Sequence, residues 1–486
     1  MNTVIFKNLL VLSVLIGPVK GLSQTPEVAA LDRKIMDFAR ENSQIMENLE
    51  YLCDVIGPRL TGSSRLKSAN DWTAAKMKEY GLENVHLESY NIPLAWERIK
   101  CEVKVVEPNG MDLIACSQPW TPGIKGTVTG PVIFMDGNDE EAWAKYKGKL
   151  KGAIVLLSKP MEVQEHPSRS LPGDFWSRKG IGGTDETANP QTRLALTARE
   201  QFMKHEGVVA ILQDSFVPQT LLAITGSWNK AGVQPPFPRI YFAHEHYSML
   251  YRLSLRQRPA KISLKVENRW TKGPVAVYNT VGEIKGTEKP EEIVLCGAHL
   301  DSWDLAQGAV DNGTGSMVVL EAARLIKVMG LKPKRTIRFV LFSGEEQGLH
   351  GSANYVEQHL SEMEKISGVF VHDTGTGRVT GIGLHGSTQV QPIFEDEFSP
   401  LKELGVNRYV VPQMGGTDHA SFYPKGVPSF WFVQDSADYS LMHHTQSDTF
   451  DKAIKGDLVQ GATVMAICAV TSANRAAMLP RKPISK

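Results

Sequence analysis

The sequence predicts an α/β protein, with a mixed central sheet flanked by helices and a smaller β-rich domain inserted into it. Three observations predict this. From Val275 onward, buried-type strands alternate with amphipathic helices, the pattern of a layered α/β sheet. Between about Glu102 and Asn268 that pattern gives way to short β-like runs separated by loops rich in Gly, Pro and Trp. The chain has 486 residues, more than one ordinary core organises, so two domains are expected.

At the N-terminus, Lys7 precedes an apolar run from Leu9 to Val19, and the small residues Gly21 and Ser23 stand before Gln24. This is the pattern of an export signal over residues 1–23. The run is too short to span a bilayer, which needs about 20 apolar residues. The protein is therefore expected to be periplasmic or secreted, with no membrane association after signal removal. The first cysteine is Cys53, so the cleavage site offers no thiol for lipid attachment.

Val28 to Asn48 reads as helix, and Ile56 to Ser64 as a loop rich in turn residues. Leu66 to Tyr80 reads as an amphipathic helix that stops before Gly81. In the middle segment, β-like runs occur at Pro131–Met135, Ala153–Leu157, Val208–Leu212 and Ile240–Phe242, with a long loop over Pro167–Thr192. In the last segment, strands are expected at Ile293–Cys296, Thr336–Phe342, Gly368–Val371 and Ser429–Val433, and a helix at Ser316–Met329.

Apolar residues make up 42% and charged residues 22% of the chain, and Lys plus Arg equals Asp plus Glu at 53. A balanced charge leaves no footprint for nucleic acid or an anionic membrane surface, so neither partner is expected. Cys53, Cys101, Cys116, Cys296 and Cys468 show no metal-type spacing. Export permits disulfides, Cys101–Cys116 among the pairings, but buried thiols are the expected state.

Metal-ligand residue types recur at the ends of the expected strands. They appear in Gly297-Ala-His299-Leu-Asp301, in Ala309-Val-Asp311-Asn-Gly313, and in Ser343-Gly-Glu345-Glu346. The series continues with His372-Asp373 and His443-His444-Thr445. Open α/β sheets build sites outside the carboxyl ends of their strands, so these residues should converge. Two ions held ~3.5–4 Å apart need a bridging carboxylate, and each needs a His, a carboxylate and an open position. Asp311, on a turn beside Gly313 and Gly315, fits the bridge. His299 and Asp373 would complete one ion, and Glu346 and His444 the other. Glu345 is then free to act as general base. Asp301 lies two residues beyond His299 on an extended segment, where it would orient the imidazole. Taken singly, each residue has a commoner structural role. Five ligand types in order at successive strand ends are hard to explain that way.

These motifs, with His-Leu-Asp-Ser, Asp-Asn-Gly-Thr-Gly, Phe-Ser-Gly-Glu-Glu-Gln-Gly and His-His-Thr-Gln-Ser-Asp-Thr, resemble the cocatalytic di-zinc peptidases of the bacterial aminopeptidase and glutamate carboxypeptidase type. The resemblance covers Glu27–Trp96 and Ala276–Leu479. It implies the zinc exopeptidase fold in two parts, residues 24–101 and 271–486, around a protease-associated-like insertion at 102–270. It also implies two Zn2+ per chain, short peptide substrates and a homodimer. Many members place a Tyr before the last His ligand to hold the oxyanion; here that residue is His443. Gly416-Thr-Asp418-His419 resembles the family's Ser/Thr-Asp-His loop, with Asp418 in support of the site and His419 packing or lining the pocket. No residue is an obvious clamp for a free amine or a free carboxylate, so aminopeptidase, carboxypeptidase and dipeptidase readings stay open. Two other classes compete: a non-catalytic binding protein on the same fold, and a single-zinc transferase of the glutaminyl cyclase kind.

Overall fold

The computed structural model describes residues 26–161, 190–228 and 232–481. The expected signal, residues 1–23, and most of the loop expected over Pro167–Thr192 lie outside them. In chain order the strands are β1 (Glu83–Glu107), β2 (Asp112–Leu113), β3 (Ala115–Ser117), β4 (Val128–Phe134), β5 (Ile154–Leu156), β6 (Ala210–Asp214) and β7 (Arg239–Phe242). They continue with β8 (Lys261–Ile284), β9 (Lys289–His299), β10 (Arg335–Phe342), β11 (Ile366–Val371), β12 (Val379–Gly383), β13 (Arg408–Val410) and β14 (Ser429–Gln434).

The part of the sheet that carries the C-terminal strands is built on the order β13-β12-β14-β11-β9-β10-β8. Strands β14, β11, β9 and β10 are mutually parallel, and β8 and β12 close them antiparallel on either side. The order continues from β8 through β4-β5-β6-β7-β3, in which β4 to β7 are parallel. The long strands β1 and β8 pair antiparallel from Glu83↔Glu283 to Glu107↔Lys261 and so run through both regions. Residues 101/102 and 270/271 fall inside these strands.

The central strands are buried on both faces, as parallel strands covered by helices must be. Side chains alternate between two cores. Val294, Cys296, Ala298, Ile337, Phe339 and Leu341 face one cluster, with the helices Thr314–Val328 and Lys455–Asn474. Ile293, Leu295, Val340 and Phe342 face the other, with Tyr355 of the helix His350–Gln358 and Phe422. The helix Lys455–Asn474 has the length and apolarity of a membrane span, but 78% of its apolar window is buried inside the protein, which makes it a core helix.

The expected helix at Leu66–Tyr80 is Ser64–Glu79, capped by Ser63 Oγ accepting from the Leu66 N–H at 3.2 Å. The helix expected over Val28–Asn48 is instead two, Pro26–Asn42 and Ile45–Glu50. The break has a physical cause. Ser43 Oγ accepts the Ile45 N–H at 3.3 Å and Glu321 Oε1 accepts the Gln44 N–H at 3.2 Å, which starts a new helix. All five cysteines are free thiols, and burial pushes Cys53 and Cys116 up to about 12.

Candidate metal centre

Four parallel strands deliver the site at their carboxyl ends. β9 ends on His299, and β10 is followed by the Ser343-Gly344 turn and then Glu345-Glu346. β11 is followed by His372-Asp373, and β14 leads through the short helix Tyr439–Met442 to His443-His444. Asp311 arrives from the turn before the helix Thr314–Val328. Gly315 is required there, because a Cβ would lie 2.2 Å from Asn312 Oδ1 and 2.3 Å from the His372 carbonyl oxygen. Those two atoms hold the turn: Asn312 Nδ2 donates to His372 O at 2.9 Å, and Asn312 Oδ1 accepts the Gly315 N–H at 2.9 Å.

The structure brings all six residues expected for chemistry to this edge. His299 Nε2 lies 3.0 Å from Asp373 Oδ1 and 3.3 Å from Asp311 Oδ1. His444 Nε2 lies 2.9 Å from Glu346 Oε2 and 3.5 Å from Asp311 Oδ2. Asp311 therefore faces one imidazole with each oxygen. The ligand atoms of His299, Asp311 and Asp373 lie within 4.8 Å of one another, as do those of Asp311, His443 and His444. Glu345 is partly accessible and shares an electrostatic neighbourhood with His299, Asp373, Asp418 and Glu346. His443 stacks on His444 with ring centroids 3.6 Å apart, its Nε2 3.7 Å from Asp311 Oδ2.

The electrostatics fit a cation. Burial opposes the Asp311 charge, yet the His299 hydrogen bond and the neighbouring imidazoles hold its carboxyl well below the usual range. Burial pushes Glu345, Glu346 and Asp373 upward, and their mutual repulsion adds to it. Burial pushes His443 down to about 3 and His444 down to about 4, which leaves their rings neutral, the form that ligates metal. Asp311 Oδ2 and Glu346 Oε1 are buried without a hydrogen-bond partner. Packed carboxylates are costly unless compensated, and a pair of divalent cations is a compensation that suits His and carboxylate donors.

Several residues support the site from around it. The His299 ring is held by the Asp301 backbone, whose carbonyl oxygen lies 3.0 Å from Nδ1; the Asp301 carboxylate is farther, at 3.7 Å. That carboxylate instead accepts the backbone N–H groups of Glu345 (3.3 Å) and Glu346 (3.4 Å) and the Thr61 hydroxyl (2.9 Å). Buried Arg59 donates to the carbonyls of Leu300, Gln307 and Gly308 at 2.6–2.8 Å, tying down the loop between His299 and Asp311. Asp448 accepts the N–H of Val310 at 2.5 Å and of Asp311 at 3.2 Å. Asp448 lies inside a quoted motif and Arg59 in the Ile56–Ser64 loop, but only the fold shows what they touch. Asp418 is buried, pushed up to about 7 by desolvation. His419 bonds His385 at 2.9 Å and stacks by Trp431, in an aromatic cluster.

The middle segment reaches the site. Ala223 bridges Thr445 antiparallel, the Ile224 N–H donates to His444 O at 3.0 Å, and the Gln446 N–H donates to Leu222 O at 3.3 Å. These bonds hold His444 at φ +60°, a left-handed conformation that costs a non-glycine residue roughly 1–2 kcal/mol.

The comparisons agree with this geometry. The sequence profile of peptidase family M28 matches residues 279–469. The chain is 31% identical to carboxypeptidase Q of Mus musculus over 448 residues, 91% of this chain and 88% of that protein. It is 26% identical to aminopeptidase YwaD of Bacillus subtilis, covering 96% of this chain and 93% of that one. Among solved structures, a peptidase M28 precursor from Shewanella amazonensis superposes with a TM-score of 0.75 at 26% identity, over 94% of this chain and 99% of that one. A zinc aminopeptidase from Bacillus subtilis shares the fold, with a TM-score of 0.60 at 21% identity over 87% and 93% of the two chains. A mixed sheet flanked by helices, strand ends that converge on His and carboxylate side chains, and likeness along nearly the whole chain lead to one conclusion: the chain belongs to peptidase family M28.

Proposed function

We propose that the chain is an exported zinc exopeptidase that holds two ions and hydrolyses terminal bonds of short peptides. The observation that carries this reading is Asp311, with one oxygen 3.3 Å from His299 Nε2 and the other 3.5 Å from His444 Nε2. His299 and Asp373 would hold one ion, Glu346 and His444 the other, with Asp311 shared.

When bound, the ions polarise the scissile carbonyl and acidify the attacking water. Glu345 takes the proton from that water and delivers it to the leaving amine nitrogen. His443 is neutral and donates an N–H to the carbonyl oxygen as negative charge grows there. Asp301 fixes the backbone on which Glu345 and Glu346 stand. Residues 102–270 are an inserted module, supported by hydrophobic clusters around Ile154, Leu212 and Phe242 and around Trp143 and Ile211.

The test is a dipeptide panel with free, N-blocked and C-blocked termini, assayed with zinc-loaded mature protein. Hydrolysis of free dipeptides lost on chelation supports the reading, and the blocked arms show which end is read. A protein that holds no stoichiometric zinc would be the binding-protein alternative, and one that holds a single ion the transferase. Intact mass of exported protein tests the signal: retention of Met1–Ser23 would sink export by cleavage. Sedimentation tests the homodimer.

A further inference from the structure

A small cleft lies at the site, lined among others by Trp303, Gly308, Asp311, Glu346, His444 and Asp448. Trp303 is 5% exposed, and its indole nitrogen is buried without an acceptor in the protein. The Trp120 and Trp270 indoles also lack an acceptor, but neither lines this cleft. The Trp303 ring is held in place: it packs edge-on to His444 at 5.7 Å and to Trp120 at 6.4 Å. The next residue, Asp304, is clamped by Arg98 through two contacts of 2.9 and 3.1 Å. Trp120 in turn meets Trp228 edge-on at 5.3 Å, and Trp228 lies against the His350 ring at 4.6 Å.

We propose that Trp303 is a specificity residue whose indole N–H donates to an acceptor oxygen of the bound peptide other than the scissile carbonyl. The inference rests on the peptidase reading. An indole nitrogen donates and cannot accept, so it takes a carbonyl or terminal carboxylate oxygen and disfavours an ammonium. A buried donor left without a partner is destabilising and calls for an explanation. A rigid indole that lines this cleft with Asp311, Glu346 and His444, three residues assigned to the metals, supplies one.

Trp303→Phe keeps a ring against His444 and Trp120 but removes the donor. With zinc-loaded enzyme, KM for a free dipeptide should rise about tenfold, the size of one lost hydrogen bond. The kcat and the zinc content should stay near wild type. An unchanged KM, or a loss of activity that tracks a loss of zinc, overturns the proposal, because a residue that only packs against His444 acts through the metal. If the variant does not fold, a crystal structure of the wild type with a reduced-bond dipeptide, and with its C-terminal amide, decides. An Nε1-to-oxygen distance below about 3.2 Å supports the proposal. Contact with the acid alone identifies a carboxylate, and contact with both a carbonyl. Contact with neither overturns it. A wild-type enzyme that cleaves no dipeptide sinks the peptidase reading, and this distance still reports on Trp303.

Discussion

The Asp301 carboxylate accepts the backbone N–H of Glu345 at 3.3 Å. The residue that follows the His299 segment thereby holds the turn that carries the proposed base. The same carboxylate reaches Glu346 N at 3.4 Å and the Thr61 hydroxyl at 2.9 Å. One acidic side chain links three chain segments. Asp301→Ala should lower kcat or zinc affinity by roughly 10–100-fold, the usual loss when a support beneath metal ligands is removed. Steady-state kinetics and zinc titration check this, and near-wild-type values for both would show that the turn holds itself.

Glu345→Gln should keep its zinc and lose turnover by roughly 10²–10⁴-fold, because the base is gone and the ligands remain. Glu346→Gln should instead lower zinc occupancy. Metal analysis beside single-turnover kinetics separates them; the opposite pattern would exchange the two roles.

Asp448→Ala removes the acceptor of two buried N–H groups, Val310 and Asp311. Unpaired buried donors cost roughly 1–3 kcal/mol each, so stability in urea should fall by about 2–6 kcal/mol and zinc affinity should fall with it. Asp448→Asn retains one acceptor oxygen and should lose less. A stable Asp448→Ala that binds zinc normally would remove Asp448 from the support of Asp311.

The residues that gather at the strand ends were legible because chain order and strand-end position repeat the same residue types, from His299 to His444. Chemistry that depends on a residue's type and its place at a strand end survives in one dimension. The contacts of the supports were not legible, although Asp301 and Asp418 stand out by their motifs. Arg59 meets Gly308 and Asp448 meets Asp311 across long stretches of sequence, and no local pattern records such pairs. The same holds for Leu222–Ile224, whose backbone pairs with the His444 loop: backbone pairing leaves no mark on side-chain identity. The break at Ser43 was missed because it depends on Glu321, which lies in another helix.

His359 offers a pH test away from the metals. Its hydrogen bond to Glu88, at 3.1 Å, raises its pKa above the usual 6.5 against partial burial. Burial works against the Glu88 charge, but His359 and His86 hold that carboxyl below its usual 4.5. The His contribution is present in full below the unfolded His pKa and fades as pH rises through the higher folded value. The Glu contribution is present above the unfolded Glu pKa and fades as pH falls through the lower folded value. The partly buried pair should contribute about 1 kcal/mol, most between pH ~4.5 and ~6.5. Urea unfolding of wild type and His359→Gln should therefore differ more at pH 5.5 than at pH 8.5. An equal or reversed difference would contradict the pairing.

Bound zinc per chain in wild type and in Asp311→Ala tests the central claim most directly. A carboxylate shared between two close dications offsets their repulsion, and Asp311 is the residue that faces both His299 and His444. The prediction is two zinc ions per wild-type chain and a collapse of both in Asp311→Ala, while His444→Ala keeps the ion at His299 and Asp373. Two ions retained in Asp311→Ala, or a wild type that never binds more than one, would contradict it.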